Sequence, residues 1–243
     1  MVRRQKIIVG IAAITTLCTV LLAFKVIPYL SDLRAFQREQ VSLAGLSPFD
    51  LEQLEINPDY VGRLRIDGTS INFPVVRGSD NEKYLTTTFR GDENRLGAIF
   101  MDYRCVNNDV PHIIIYGHQI SDESYSGFGF GELQYFTDKQ YLAERPLIVF
   151  MSNDSVSEFE IFSARRTDTS DPAYQLDFSE PDSWAAFLKR TGAPPDAEQI
   201  ITLSTCIGVD NDKRMIVQGT LKRVVQVKTE QGENGWRVVD SQE

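Results

Sequence analysis

A mainly β domain, closed into a barrel of about eight strands, is the fold class this sequence predicts. Two observations carry that prediction. Short runs rich in β-branched and apolar residues recur between residues 60 and 225, each bounded by turn or loop signals. The helical signals between them are short and irregularly placed, whereas a parallel α/β sheet needs helices alternating with strands.

The strand runs are Tyr60–Ile66, Ser70–Val76, Leu96–Met101, His112–Gly117, Pro146–Met151, Val156–Thr167, Gln199–Thr205 and Arg214–Val225. The first two flank Asp67-Gly68-Thr69, a hairpin-type connection. Interrupting helices are expected at Asn81–Leu85, Phe130–Phe136, Asp138–Leu142 and Pro181–Arg190. The last has start signals at Ser179, Pro181 and Asp182 and a stop at Gly192. Before the barrel, Leu33, Phe36, Gln40 and Leu43 approximate a helical period from Ser31 onward. Ser47-Pro48 opens a second short helix through Leu51 and Leu54, and Asn57-Pro58-Asp59 ends it.

The amino terminus predicts a membrane anchor. Arg3, Arg4 and Lys6 precede an uncharged run from Ile7 to Phe24, long enough for a short transmembrane helix of about 17–25 residues. The flanking cations place the amino terminus in the cytoplasm and export the rest. A cleaved signal peptide fits less well, because the run exceeds the usual apolar region and no small-residue cleavage site follows at Leu22-Ala23-Phe24-Lys25. Cys18, inside the run, reads as apolar filler. The expected organisation is residues 1–6 cytoplasmic, 7–24 membrane span, 25–56 helical stalk, 57–228 catalytic barrel and 229–243 polar flexible tail.

Charge and cysteine count exclude several classes. Four of the 25 basic residues and none of the 34 acidic ones fall in the first 25 positions, leaving an exported part near −13. That surface disfavours nucleic acid, whose phosphates draw on clustered Lys and Arg. Only Cys105 and Cys206 lie beyond the expected span, too few for a disulfide-stapled scaffold. A Cys105–Cys206 bridge is the lesser reading beside an isolated thiol. With two histidines and no CxxC or HExxH spacing, no metal and no cofactor are expected.

The chemistry lies at strand ends. Cys206 ends the run Gln199-Ile200-Ile201-Thr202-Leu203-Ser204-Thr205-Cys206, His118 ends Ile113-Ile114-Ile115-Tyr116-Gly117-His118, and Arg214 opens the last strand. Cysteine attacks as thiolate, which a nearby imidazolium or guanidinium favours, and a histidine can protonate an amine leaving group. The competing reading is a buried apolar Cys206 and a loop His118; spacing alone divides about evenly between the two. His112, opening its strand after Pro111, and Cys105, at a strand end, read as structural, with His112 exposed.

At these residues the chain resembles the sortases, cysteine transpeptidases of Gram-positive bacteria. Thr202-Leu203-Ser204-Thr205-Cys206 with Arg214 is similar to their TLxTC…R signature, and Tyr116-Gly117-His118 to the strand carrying their histidine. Asn57-Pro58-Asp59-Tyr60-Val61-Gly62, Phe73-Pro74-Val75-Val76, Asp80-Asn81-Glu82-Lys83-Tyr84-Leu85 and Ile99-Phe100-Met101-Asp102-Tyr103-Arg104-Cys105 resemble class B members. The resemblance implies an eight-stranded sortase-type barrel with flanking helices. It implies cleavage after the Thr of a sorting motif near the carboxyl end of exported proteins. The acyl group, held as a Cys thioester, then passes to an amine of peptidoglycan precursor or of a pilin. On that template Cys206 is the nucleophile, His118 the general acid and then base, and Arg214 the oxyanion and positioning group. Asn81, Leu85, Tyr116 and Ser204 are the expected groove residues. The chain departs from many class B members in carrying Ile207-Gly208 after the cysteine and a short Ile207–Lys213 loop. A pilus-polymerising sortase and a hydrolysing cysteine peptidase are the alternatives.

Overall fold

The computed structural model describes residues 22–36, 38, 52–106, 110–119, 129–152, 155–207, 210–232 and 235–240. The expected membrane span lies outside these residues except for 22–24, as do Gln40 and Leu43 of the first expected stalk helix and Ser47 to Leu51 of the second. Among the described residues no helix is long and apolar enough to cross a membrane.

Among the described residues nine strands form one sheet: β1 (Tyr60–Arg65), β2 (Asn72–Val76), β3 (Ile99–Met101), β4 (His112–Tyr116), β5 (Leu147–Met151), β6 (Ser155–Asp168), β7 (Ile200–Ile207), β8 (Asp210–Gly232) and β9 (Gly235–Asp240). Their order is β6-β5-β1-β2-β3-β4-β7-β8-β9, and β6 also pairs with β8. That extra pairing runs from Ser155↔Gln226 to Asp168↔Lys213 and closes the first eight strands into a barrel. Closure removes the open edges that would otherwise template aggregation. All eight expected strands form, with ends shifted by a few residues.

The inside is apolar because inward positions alternate with outward ones along each strand. Leu64, Phe73, Val75, Ile99, Met101, Ile113, Ile115, Ile148, Phe150, Phe159, Ile201, Leu203, Met215 and Val217 form the buried core. The Asp67-Gly68-Thr69 connection makes the expected antiparallel hairpin, with Gly68 at φ +76.

Two pairings are parallel, β2 with β3 and β4 with β7. A parallel pair needs a crossover connection, and that between β2 and β3 contains a 3-10 turn at Lys83–Leu85. The Asp80 carboxylate accepts the N–H groups of Glu82 and Lys83 at 2.8 and 2.9 Å, starting the turn. Asp59 pins it from the barrel side, accepting from Lys83 Nζ and the Tyr84 hydroxyl at 2.6 and 2.8 Å.

Helix α1 (residues 22–36) is followed by α2 (Glu52–Ile56), α3 (Lys139–Glu144) and α4 (Ser183–Thr191). Leu33 and Phe36 of α1 bury themselves against Leu96. Asp32 binds Arg95 through a 2.6 Å ion pair, and its carbonyl accepts from Asn94 Nδ2. The segment expected at Phe130–Phe136 is a 3-10 helix, Gly131–Thr137, followed by α3 capped by Asp138. Helix α4 stops at Gly192 as expected, with φ +74, but starts at Ser183, two residues after the expected Pro181. Ser179 instead hydrogen bonds to Asp177.

Two expectations need correction. The tail over 229–243, expected to be polar and flexible, continues β8 to Gly232 and returns as β9, in register from Val227↔Asp240 to Gly232↔Gly235. Backbone pairing in a hairpin does not require apolar side chains, so the polar composition concealed it. His112 is not exposed but wholly buried. Its Nδ1–H donates to the Gln175 carbonyl at 2.7 Å, and its Nε2 accepts from the Thr202 hydroxyl at 2.8 Å. Thr202 in turn accepts from Gln218 Nε2 at 3.0 Å. These hydrogen bonds satisfy a neutral imidazole fully, and burial pushes its pKa down to about 4.

Candidate active site

The parallel register of β4 and β7 sets the geometry. Tyr116 stands opposite Ser204, so the residues that follow each strand leave the barrel at the same rim. Two positions after Tyr116 comes His118, and two after Ser204 comes Cys206. Strand β8 then runs antiparallel to β7, placing Arg214 directly opposite Cys206. Strand pairing thus sets 206 beside 214, and the chain leaving β4, whose Gly117 N–H donates to the Ser204 carbonyl, brings 118 to the same rim.

An open cavity of about 290 Å³ lies at this rim. Asn81, Leu85, Tyr116, His118, Ser204 and Arg214 all line it. Every sequence-predicted site residue whose side chain is described therefore faces one cavity. Phe100 and Thr205, which lie in the resembling stretches but were not among the expected groove residues, line it as well.

His118 Nε2 lies 2.9 Å from the Leu85 carbonyl. A carbonyl only accepts, so Nε2 carries the hydrogen and the neutral ring keeps its lone pair at Nδ1. The same contact survives when the ring is protonated, so proton gain and loss fall on Nδ1. The chain passes close beside the Leu85 carbonyl at Gly97, whose φ is +56. A Cβ there would lie 2.8 Å from Leu85 O and closer still to Tyr84 O. Glycine is required at that position for both reasons.

Beneath the cavity sits Asp102, wholly buried. It accepts from Asn81 Nδ2 and from the Tyr116 hydroxyl, each at 3.0 Å. Arg104 forks onto both carboxylate oxygens at 2.9 Å. Burial pushes this carboxyl up, but the Arg104 hydrogen bonds and the Asn81 amide outweigh it and the pKa is lowered. Tyr116 is pushed far above the ordinary phenol range by burial and by the Asp102 charge, so it stays a neutral hydroxyl. Ser204 shares a 2.8 Å hydrogen bond with the Tyr174 hydroxyl. Cys105 is buried, its Sγ 3.6 Å from the His112 carbonyl, and burial pushes the thiol up to about 11. It is structural, as expected.

A mixed barrel that gathers strand-end residues at one rim in this way is the scaffold of a cysteine transpeptidase. Residues 64–222 match the sortase domain family model, and the chain belongs to the sortase family. It is class B-like within that family. Sortase B of Listeria monocytogenes is 33% identical over 71% of this chain and 72% of its own length. The Staphylococcus aureus sortase B–substrate complex superposes with a TM-score of 0.65 at 27% identity, over 78% of this chain and 92% of that one. A sortase B complexed with triglycine gives a TM-score of 0.68 at 25% identity, over 82% of this chain and all (100%) of that one.

Proposed function

We propose that this sortase is a membrane-anchored transpeptidase that attaches exported proteins to a cell-wall amine. The observation that carries the reading is the strand register, which sets Arg214 opposite Cys206 while His118 and Arg214 line the same cavity. The Cys206 thiol passes its proton to His118 Nδ1, and the thiolate attacks the carbonyl carbon of the sorting-motif Thr. Arg214 stabilises the oxyanion as negative charge moves onto the carbonyl oxygen. His118 gives its Nδ1 proton to the leaving amine as the C–N bond breaks, leaving a thioester on Cys206. An incoming amine, of peptidoglycan precursor or of a pilin, loses a proton to Nδ1 as it attacks. The new amide forms, the C–S bond breaks, and the thiolate returns beside the imidazolium.

The cavity wall supplies the recognition surface. Asn81 and Tyr116 offer polar groups, Leu85 an apolar edge and Ser204 a hydroxyl. The substrate and triglycine complexes of related sortases support a peptide donor and an amine acceptor. The cations Arg3, Arg4 and Lys6 and the apolar run over 7–24 support a single span with the barrel outside the cell. Leu22 and Phe24 at the end of that run, and Ile27 just beyond it, are exposed apolar side chains at the start of α1.

The test is mass-spectrometric capture of an acyl adduct on Cys206 from a peptide library, with triglycine as acceptor. Cys206→Ala is expected to give none. An adduct released only to water at high triglycine favours a hydrolysing peptidase. Laddered protein polymers favour pilus assembly.

A further inference from the structure

We infer that Asp102 is a positioning residue that presets the hydrogen-bonding polarity of the peptide groove through Asn81 and Tyr116. This role rests on the transpeptidase reading of the cavity. Asp102 does not line the cavity, yet two cavity-lining side chains terminate on it.

Each partner is limited in what it can do. An ionised carboxylate only accepts, and a backbone N–H only donates. Asn81 is held by one of each: its Nδ2 donates to Asp102 at 3.0 Å, and its Oδ1 accepts from the Tyr103 N–H at 3.1 Å. The amide therefore has a single orientation, with its second Nδ2 hydrogen left for the groove. Tyr116 commits its only proton to Asp102, so toward other groups it is an acceptor. The groove thus offers a donor at Asn81 and an acceptor at Tyr116, a pair matched to the C=O and N–H of an extended peptide. Asn81 and Tyr116 both donate to the same oxygen, Oδ2, and Arg104 keeps Asp102 charged in its buried place so that this oxygen only accepts, and accepts strongly.

Groups that bind substrate and transition state alike act on KM rather than kcat. The experiment uses internally quenched peptides carrying a central Thr, with triglycine as acceptor, read alongside the rate of Cys206 alkylation. Asp102→Asn is expected to raise KM about tenfold with kcat and alkylation little changed. In an Asn81→Ala, Tyr116→Phe background the same substitution is expected to cost less than about twofold, because its intermediaries are gone. Additive losses, or an unchanged KM in Asp102→Asn, overturn the inference. No turnover by the wild-type chain with any peptide instead removes the transpeptidase reading. Should Asp102→Asn not fold, hydrogen exchange at the Asn81 side-chain amide of the wild-type chain decides. One protected Nδ2 hydrogen and one free is the expected pattern; equal, fast exchange of both overturns the link.

Discussion

The Nε2 of His118 donates to the backbone carbonyl of Leu85, on a turn thirty-three residues upstream (2.9 Å). The histidine is thus oriented by main chain. The precision of its placement depends on how firmly that turn is held, and the chain passes close beneath it at Gly97.

Gly97→Ala is therefore expected to displace the Leu85 carbonyl and lower turnover while costing about 1–3 kcal/mol of stability. Gly91 is the control. Its φ is also positive, at +90, but a Cβ there meets nothing within 4 Å. Gly91→Ala should cost backbone strain alone and leave kcat intact. Steady-state kinetics and thermal melts on both variants check the pair. Equal kcat in both would sink the role given to the Leu85 carbonyl.

Arg214→Ala should reduce kcat by about 10²–10³-fold, the range for losing one donor to a developing oxyanion. Arg214→Lys keeps the charge but not the planar fork, and only partial recovery is expected. Single-turnover acylation rates distinguish this from a folding defect, which would also change the thermal midpoint.

His112 makes stability depend on pH. Its folded pKa, about 4, lies below its ordinary value of 6.5, so between these values the unfolded chain binds the extra proton. Stability is complete above about 6.5 and falls as the pH drops toward 4. The loss is on the order of 3 kcal/mol, at about 1.4 kcal/mol per pH unit. Urea midpoints across this range should slope in the wild type and flatten in His112→Gln.

The docking of α1 sets an apolar contact against an ionic one. Asp32–Arg95 is partly exposed on both sides, so Asp32→Ala should cost no more than about 1 kcal/mol. Phe36 is buried, 2% exposed, and Phe36→Ala should cost about 3 kcal/mol or more if α1 is part of the cooperative unit. Chemical denaturation ranks the two, and the reverse order would contradict the packing account.

A thiol reagent applied to the native protein should leave Cys105 unmodified, because that thiol is buried and its pKa is pushed up to about 11. Peptide mapping before and after denaturation checks it. Rapid native labelling of Cys105 would contradict its burial.

The strands were legible because each run is locally rich in β-branched and apolar residues and is bounded by turn or loop signals. The groove positions Asn81, Leu85, Tyr116 and Ser204 came from resemblance to a family rather than from any local pattern, and the cavity collects all four. His112 was misplaced toward the surface because a polar residue beside proline looks exposed. Only a fold that brings Gln175 and Thr202 to it can satisfy an imidazole inside. Asp102 gave no local sign of its burial, since its partners come from residues 81, 104 and 116.

Local periodicity and residue chemistry suffice for a β-rich domain, for the strand-end positions of Cys206, His118 and Arg214, and for the apolar run at the amino terminus. They leave open which strands are neighbours, and that choice belongs to the folded chain. Parallel pairing of β4 with β7, and antiparallel pairing of β7 with β8, bring the three residues to one rim. Strand pairing is a long-range choice, driven by burying the two faces of a closed sheet and satisfying its edges. No short stretch of sequence contains it.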